Sequence, residues 1–147
     1  MGSTFHSLHY HVVFSTKERR PSLRPEWRDR AHAYIGGIVR NQDGVAEAIG
    51  GVEDHVHLLL GLKTTHRISD LMRDLKKDSS TWIADNFSPG FAWQEGYAVF
   101  TVSASNVDAV RAYIGRQEEH HRKTTFADEL RQFLEKHGVM HDPQYLT

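Results

Sequence analysis

The sequence predicts an α+β fold, a four-stranded antiparallel sheet carrying helices on one face and two more at the C-terminus. Three observations predict it. Short β-branched and aromatic stretches alternate with longer segments of helical apolar spacing, in the order strand, helix, strand, strand, helix, strand, helix, helix. The two middle strands are joined by little more than a glycine pair, which makes them an antiparallel hairpin. A chain of 147 residues, 39% of them hydrophobic, is one domain (residues 1–147) able to bury a sizeable core.

Each element has a local reason. Leu8–Phe14 is β-branched, aromatic and bounded by polar residues, hence a strand. Ser15–Pro25 is a basic loop. Pro25 suits the first position of a helix reaching about Arg40, with Trp27, Ala31, Tyr34 and Ile38 at helical spacing. Asn41-Gln42-Asp43-Gly44 is a turn. Val45–Gly51 and Glu53–Leu62 are the second and third strands. Ile68–Asn86 is a long amphipathic helix with Ile68, Leu71, Met72, Leu75, Trp82 and Ile83 as its stripe, broken by Ser88-Pro89-Gly90. In Gly96–Ser103, Tyr97, Val99 and Thr101 alternate with Ala98, Phe100 and Val102. Ser105 or Asn106 caps a helix over Val107–His121. A last helix, Phe126–His137, ends at Gly138, and the tail from Val139 to Thr147, with Pro143, is irregular. This order is the ferredoxin-like βαββαβ plan, in which the sheet's second face is free for a site or a partner.

Composition narrows the class. There is no cysteine, so neither a disulfide framework nor a thiolate metal site is available, which fits a reducing, cytoplasmic setting. Residues 1–11 are polar and His-rich, without the apolar core of a signal peptide, and no apolar run is long enough to span a bilayer. A soluble protein with no membrane partner is expected. The net charge of −1 argues mildly against a general nucleic-acid binder. Basic residues nevertheless cluster at Lys17–Arg30, Arg73–Lys77 and Arg111–Lys123, although helix faces in solvent carry such clusters too. The 11 histidines are the outlier.

Two words in the sequence carry chemistry. In His55-Val56-His57, strand alternation sends both imidazoles to one face and Val56, Leu58 and Leu60 to the other, the core face. The imidazoles stand close enough to share one ion. Imidazole suits Zn, Mn, Ni and Fe better than Mg. Taken alone, H-x-H is as often an inert exposed pair. Glu53 and Asp54 could add oxygen donors, but Asp54 should face away from His55. In Tyr113-Ile114-Gly115-Arg116-Gln117 a phenol and a carboxamide lie one turn apart, beside the buried stripe of Val107, Val110 and Ile114. Gly115 in mid-helix costs about 1 kcal/mol relative to Ala. It suggests close approach of another backbone, or a helix that bends or moves.

A phenol is a poor nucleophile at neutral pH, with an ordinary pKa near 10. A divalent ion on a scissile phosphate offsets this by taking up developing charge. Attack by Tyr113 then yields a covalent phosphotyrosine and a free hydroxyl, a reversible outcome suited to strand transfer. Two other classes compete. A metal-dependent hydrolase on His55 and His57, with His9 or His11 as a third ligand, would release product without an adduct. A non-catalytic, domesticated reader of single-stranded nucleic acid would stack bases on Tyr10, Tyr97 or Phe100 and would bind in EDTA. Binding alone needs none of His55, His57, Tyr113 and Gln117.

Over most of its length the chain resembles the HUH-type single-tyrosine insertion-sequence transposases, the class that includes the REP-associated tyrosine transposases. The resemblance is carried by Tyr10-His11-Val12-Val13-Phe14-Ser15-Thr16-Lys17-Glu18-Arg19-Arg20-Pro21, Asp54-His55-Val56-His57-Leu58-Leu59, Leu75-Lys76-Lys77-Asp78-Ser79-Ser80, Trp93-Gln94-Glu95-Gly96-Tyr97 and Tyr113-Ile114-Gly115-Arg116-Gln117, in that order. It implies that His55, His57 and Gln117 are ligands of Mg²⁺ or Mn²⁺, with no organic cofactor. It also implies that Tyr113 makes a 5′-phosphotyrosine on single-stranded DNA, leaving a 3′-hydroxyl, at imperfect hairpins near element ends. Family members are homodimers whose sheets join and whose tyrosine helix can complete the partner's site, which would give Gly115 a role. Lys17, Arg19, Arg20, Lys76 and Lys77 become candidates for DNA-phosphate contacts. Arg116 stands where the family often has Asn.

Overall fold

The computed structural model describes residues 2–142. Its elements are β1 (His9–Ser15), α1 (Arg28–Asn41), β2 (Val45–Gly51), β3 (His55–Gly61), α2 (Ile68–Asn86), β4 (Ala98–Val102), α3 (Val107–Gly115), α4 (Gln117–His120) and α5 (Phe126–Lys136). The strands form one antiparallel sheet in the order β2-β3-β1-β4, the ferredoxin-like arrangement expected. Pro143 and residues 144–147 lie outside the described residues. Among the described residues no helix is long and apolar enough to cross a membrane.

Strand alternation divides the molecule into two layers around the sheet. Val12 and Phe14 of β1, and Val56, Leu58 and Leu60 of β3, face α1 and α2 and build the main core with Ile35, Val39, Leu71, Met72, Leu75 and Ile83. Burial of such side chains is worth about 1.5–3 kcal/mol each, the dominant stabilising term. Tyr34 stacks on Trp82 at 4.3 Å, joining α1 to α2.

The opposite face is covered, not free. Leu59 and Val102 pack against Val107 and Ile114 of α3, and α5 lies across the rest, with Phe133 stacked on Phe100 at 5.7 Å. The physical reason lies in α5, whose Phe126, Leu130, Phe133 and Leu134 form an apolar stripe that must be buried somewhere. Its start is fixed by Thr125, whose hydroxyl accepts from the Asp128 backbone N–H at 3.2 Å. Gly138, at φ 67°, follows its end as expected.

The sequence motifs of the first half are stitched together at one end of the sheet. Thr16 bridges to Trp93, and the Gln94 backbone N–H donates to the Ser15 carbonyl at 2.9 Å. Trp93 Nε1 donates to Ser79 Oγ at 3.0 Å, and Lys76 Nζ donates to the carbonyls of Gln94 and Gly96, each at 2.6 Å.

Candidate metal and nucleophile site

The site is built from β1, β3, the α3–α4 junction and α5. His55 and His57 project from β3 into the layer under α5, and both are fully buried. Each imidazole is held by its Nδ1. His55 Nδ1 meets the Asp54 carboxylate at 2.7 Å, and His57 Nδ1 meets His11 Nε2 at 2.7 Å. Asp54 precedes the strand, so alternation does not turn it away, and it orients His55 without reaching the site itself. His11 plays the same part for His57. These contacts leave both Nε2 atoms aimed inward, the arrangement in which outer partners orient metal-binding histidines.

The predicted single helix over Val107–His121 breaks at Arg116, which has φ −109° and ψ 24°. The break lets Gln117 turn inward to 2% exposure while Tyr113 stays half-buried. Gly115 has open space where a Cβ would stand, so among the described residues no backbone approaches it. The close approach falls on Gly50 instead. A Cβ there would meet the Ile114 carbonyl oxygen at 2.3 Å. Gly50 lies opposite His57 in the β2–β3 ladder, so it lets the end of α3 settle against the sheet beside the imidazoles. Gly50→Ala is therefore expected to cost about 2 kcal/mol by overpacking, seen as a lower thermal midpoint, and to move Tyr113 and Gln117. An unchanged midpoint would contradict this seating role.

Gln117 Oε1 lies 3.1 Å from His55 Nε2, and its amide nitrogen donates to Glu129 Oε2 at 3.1 Å. Donors adjacent on an ion with bonds near 2.1 Å stand about 3 Å apart. The His55 Nε2–Gln117 Oε1 spacing is that of two donors to one divalent ion.

Glu129 sits at the centre. Its Oε1 lies 2.9 Å from His57 Nε2, 3.0 Å from His121 Nε2 and 3.3 Å from His55 Nε2. Its Oε2 accepts from the Tyr113 hydroxyl as well as from Gln117. Nothing in the sequence reading pointed to Glu129. The available signal was a carboxylate in the apolar stripe of α5, three residues after Phe126 and four before Phe133.

Burial opposes the Glu129 charge, but hydrogen bonds from His121, His55 and His57 hold its carboxyl far below the ordinary range. Burial also opposes charge on His55, yet its bonds to Asp54 and Glu129 prevail and raise it to about 9. Burial lowers His57 in spite of Glu129, and burial with the neighbouring His57 lowers His11 to about 3. Burial and the adjacent Glu129 carboxylate push the Tyr113 phenol well above its usual value. Without a further cation the phenol keeps its proton.

Of the clefts beside α5, two are lined by residues of the site. One of about 410 Å³ is lined by His11, Asn106, Tyr113, His120, Phe133 and Lys136 and reaches the Tyr113 ring. The other, about 630 Å³, is lined by Arg19, Asp54, His121, Arg122, Lys123 and Phe126. Of the basic candidates, Arg19 faces this second cleft. Lys17, Arg20 and Lys77 are exposed elsewhere, Arg20 paired with Glu18 at 3.2 Å. The Lys76 ammonium is committed to backbone carbonyls.

Comparison with known proteins adds to this geometry. A family model described as "Transposase IS200 like" matches residues 4–117. A crystal structure described as a transposase from Deinococcus radiodurans R1 aligns with TM-score 0.65 and 28% identity, over 80% of this chain and 95% of that one. A REP-associated tyrosine transposase bound to a REP hairpin aligns with TM-score 0.62 and 15% identity, over 82% of this chain and 74% of that one, a likeness of fold. No curated protein sequence matches the chain.

Proposed function

The chain belongs to the IS200-like transposase family, and from that premise we propose that it is a metal-dependent single-stranded DNA endonuclease and strand transferase whose nucleophile is Tyr113. The observation that carries this reading is convergence. A phenol from α3, a carboxamide from α4 and two imidazoles from β3 surround one point, bridged by a single carboxylate.

Tyr113 Oη attacks the scissile phosphorus. The new bond joins phosphorus to the phenolic oxygen, and the bond to the 3′ oxygen breaks. Glu129 Oε2 orients the phenol by accepting its hydrogen bond; the phenolic proton is released to water as the bond forms, and the departing 3′ oxygen takes a proton from water to leave as a hydroxyl. The product is a 5′-phosphotyrosine, whose bond energy is retained for rejoining. Held by His55, His57 and Gln117, Mg²⁺ or Mn²⁺ would supply Lewis acidity at the phosphate. Arg19, Arg122 and Lys123 beside the second cleft suit the charge of a DNA strand, and Lys17, Arg20 and Lys77, exposed outside that cleft, are further candidates for phosphate contacts. The likeness to a transposase bound to a REP hairpin supports hairpin ends as the substrate, and the family resemblance supports a homodimer as the working unit.

Oligonucleotides copied from the DNA flanking the gene should be cut as single strands in Mg²⁺ or Mn²⁺ and left intact in EDTA. Binding that persists in EDTA with no cleavage in either metal would favour the non-catalytic reader. Cleavage of duplex with no covalent species would favour a hydrolase.

A further inference from the structure

We infer that Glu129 and His121 are themselves metal ligands, so that with His55, His57 and Gln117 they form a shell that selects a transition-metal dication over Mg²⁺. The inference rests on the metal site proposed for His55, His57 and Gln117 and adds two donors that lie beyond the matched segment, which ends at residue 117.

Each of the three imidazoles is held at its Nδ1 by an outer partner. His121 Nδ1 stands 2.6 Å from the Thr124 carbonyl, which can only accept, so Nδ1 carries the hydrogen. His55 Nδ1 faces the Asp54 carboxylate and must donate for the same reason. His57 Nδ1 shares a hydrogen with His11 Nε2. With each Nδ1 held from outside, each imidazole turns its Nε2 inward as the nitrogen left to bind an ion. All three Nε2 atoms converge on Glu129 Oε1, at 2.9 to 3.3 Å. Gln117 Oε1 joins them, because its amide nitrogen is spent on Glu129 Oε2. Five potential ligand atoms thus meet around one point, and an ion there would replace the protons through which the imidazoles now donate to Glu129. The His55, His57, His121 and Glu129 donor atoms all fall within 4.8 Å of one another, compact enough to hold one ion.

The donor chemistry sets the preference. Three imidazoles and one carboxylate suit Mn²⁺ or Zn²⁺, whereas Mg²⁺ favours oxygen donors and keeps its waters. Glu129 also has two tasks at once, Oε1 toward the shell and Oε2 toward the Tyr113 hydroxyl and the Gln117 amide. It thereby couples α5 to the nucleophile.

The test is Mn²⁺ binding to the metal-stripped full chain, read by electron paramagnetic resonance of free Mn²⁺, with thermal midpoints in EDTA as the folding control. Four proteins are compared: wild type, His57→Ala, Glu129→Gln and His121→Asn. Glu129→Gln keeps the side chain's shape, and His121→Asn probes the same shell independently if the first variant folds poorly. The expected result is one tight Mn²⁺ in the wild type, lost in His57→Ala and weakened about tenfold or more in both other variants. Equimolar Mg²⁺ should not displace it. If His57→Ala abolishes binding while Glu129→Gln and His121→Asn bind as tightly as wild type, or more tightly, the added ligands are refuted and the core site stands; Glu129 would then only occupy the ion's place. If His57→Ala binds Mn²⁺ like wild type, the core site fails and the inference fails with it.

Discussion

Tyr113→Phe is expected to reduce cleavage of single-stranded DNA by on the order of 10⁴-fold or more, while DNA binding changes by less than about twofold. The variant removes one oxygen and nothing else. The ring keeps its packing against Phe133 at 5.6 Å and His120 at 5.2 Å, so α3 stays seated. What disappears is the hydroxyl that donates to Glu129 Oε2. Glu129 keeps Gln117 on that oxygen and the three imidazoles on the other, so the loss should cost little stability. Cleavage and binding separate because the phenolic oxygen belongs to the bond that forms. A variant that still cuts at the wild-type rate would remove Tyr113 from the reaction.

His57→Ala is the second large effect. The imidazole is fully buried and touches His11, Tyr113 and Phe133, so its loss leaves a cavity and an unpaired His11 Nε2. Stability should fall by about 1–3 kcal/mol, a lower but still cooperative midpoint. The catalytic loss should be larger, roughly a thousandfold, because several kcal/mol of charge stabilisation in the transition state goes with the ion. A variant that unfolds outright would make His57 a structural core residue, and one that remains fully active in metal would show that no ion is bound there.

Much of this site was legible one element at a time. Ile68–Asn86 and Val45–Gly51 are found with the bounds expected, because an uninterrupted apolar stripe and a turn or breaker at the ends leave no competing register. His55 and His57 fall on one face because strand period admits nothing else. Tyr113 and Gln117 come together as expected, but through a break at Arg116 that spacing alone does not reveal.

What was not legible depends on tertiary packing. The second face of the sheet looked free because α5, read by itself, has no stated target; only the fold lays its Phe126 over His55, ring centroids 4.4 Å apart. Glu129 was invisible for the same reason. A carboxylate in an apolar stripe reads as a flaw until four elements bring its partners around it. Of the two roles read for Gly115, the bend is found, since the helix breaks directly after it at Arg116, and the close approach is not. Gly115 drew notice through helix propensity, whereas Gly50, in a strand and next to a turn, is where backbone meets backbone. Lys76 resembled a phosphate contact in sequence, but its ammonium closes the loop carrying Gln94 and Gly96.

The most direct measurement is covalent trapping. The protein is mixed with Mn²⁺ or Mg²⁺ and single strands from the flanking DNA, followed by intact mass and peptide mapping. Nucleotidyl transfer by Tyr113 predicts an added mass equal to the 5′-phosphorylated fragment, mapped to the peptide containing Tyr113, absent in EDTA and absent in Tyr113→Phe. Cleaved DNA with no adduct, or an adduct on another residue, would contradict it.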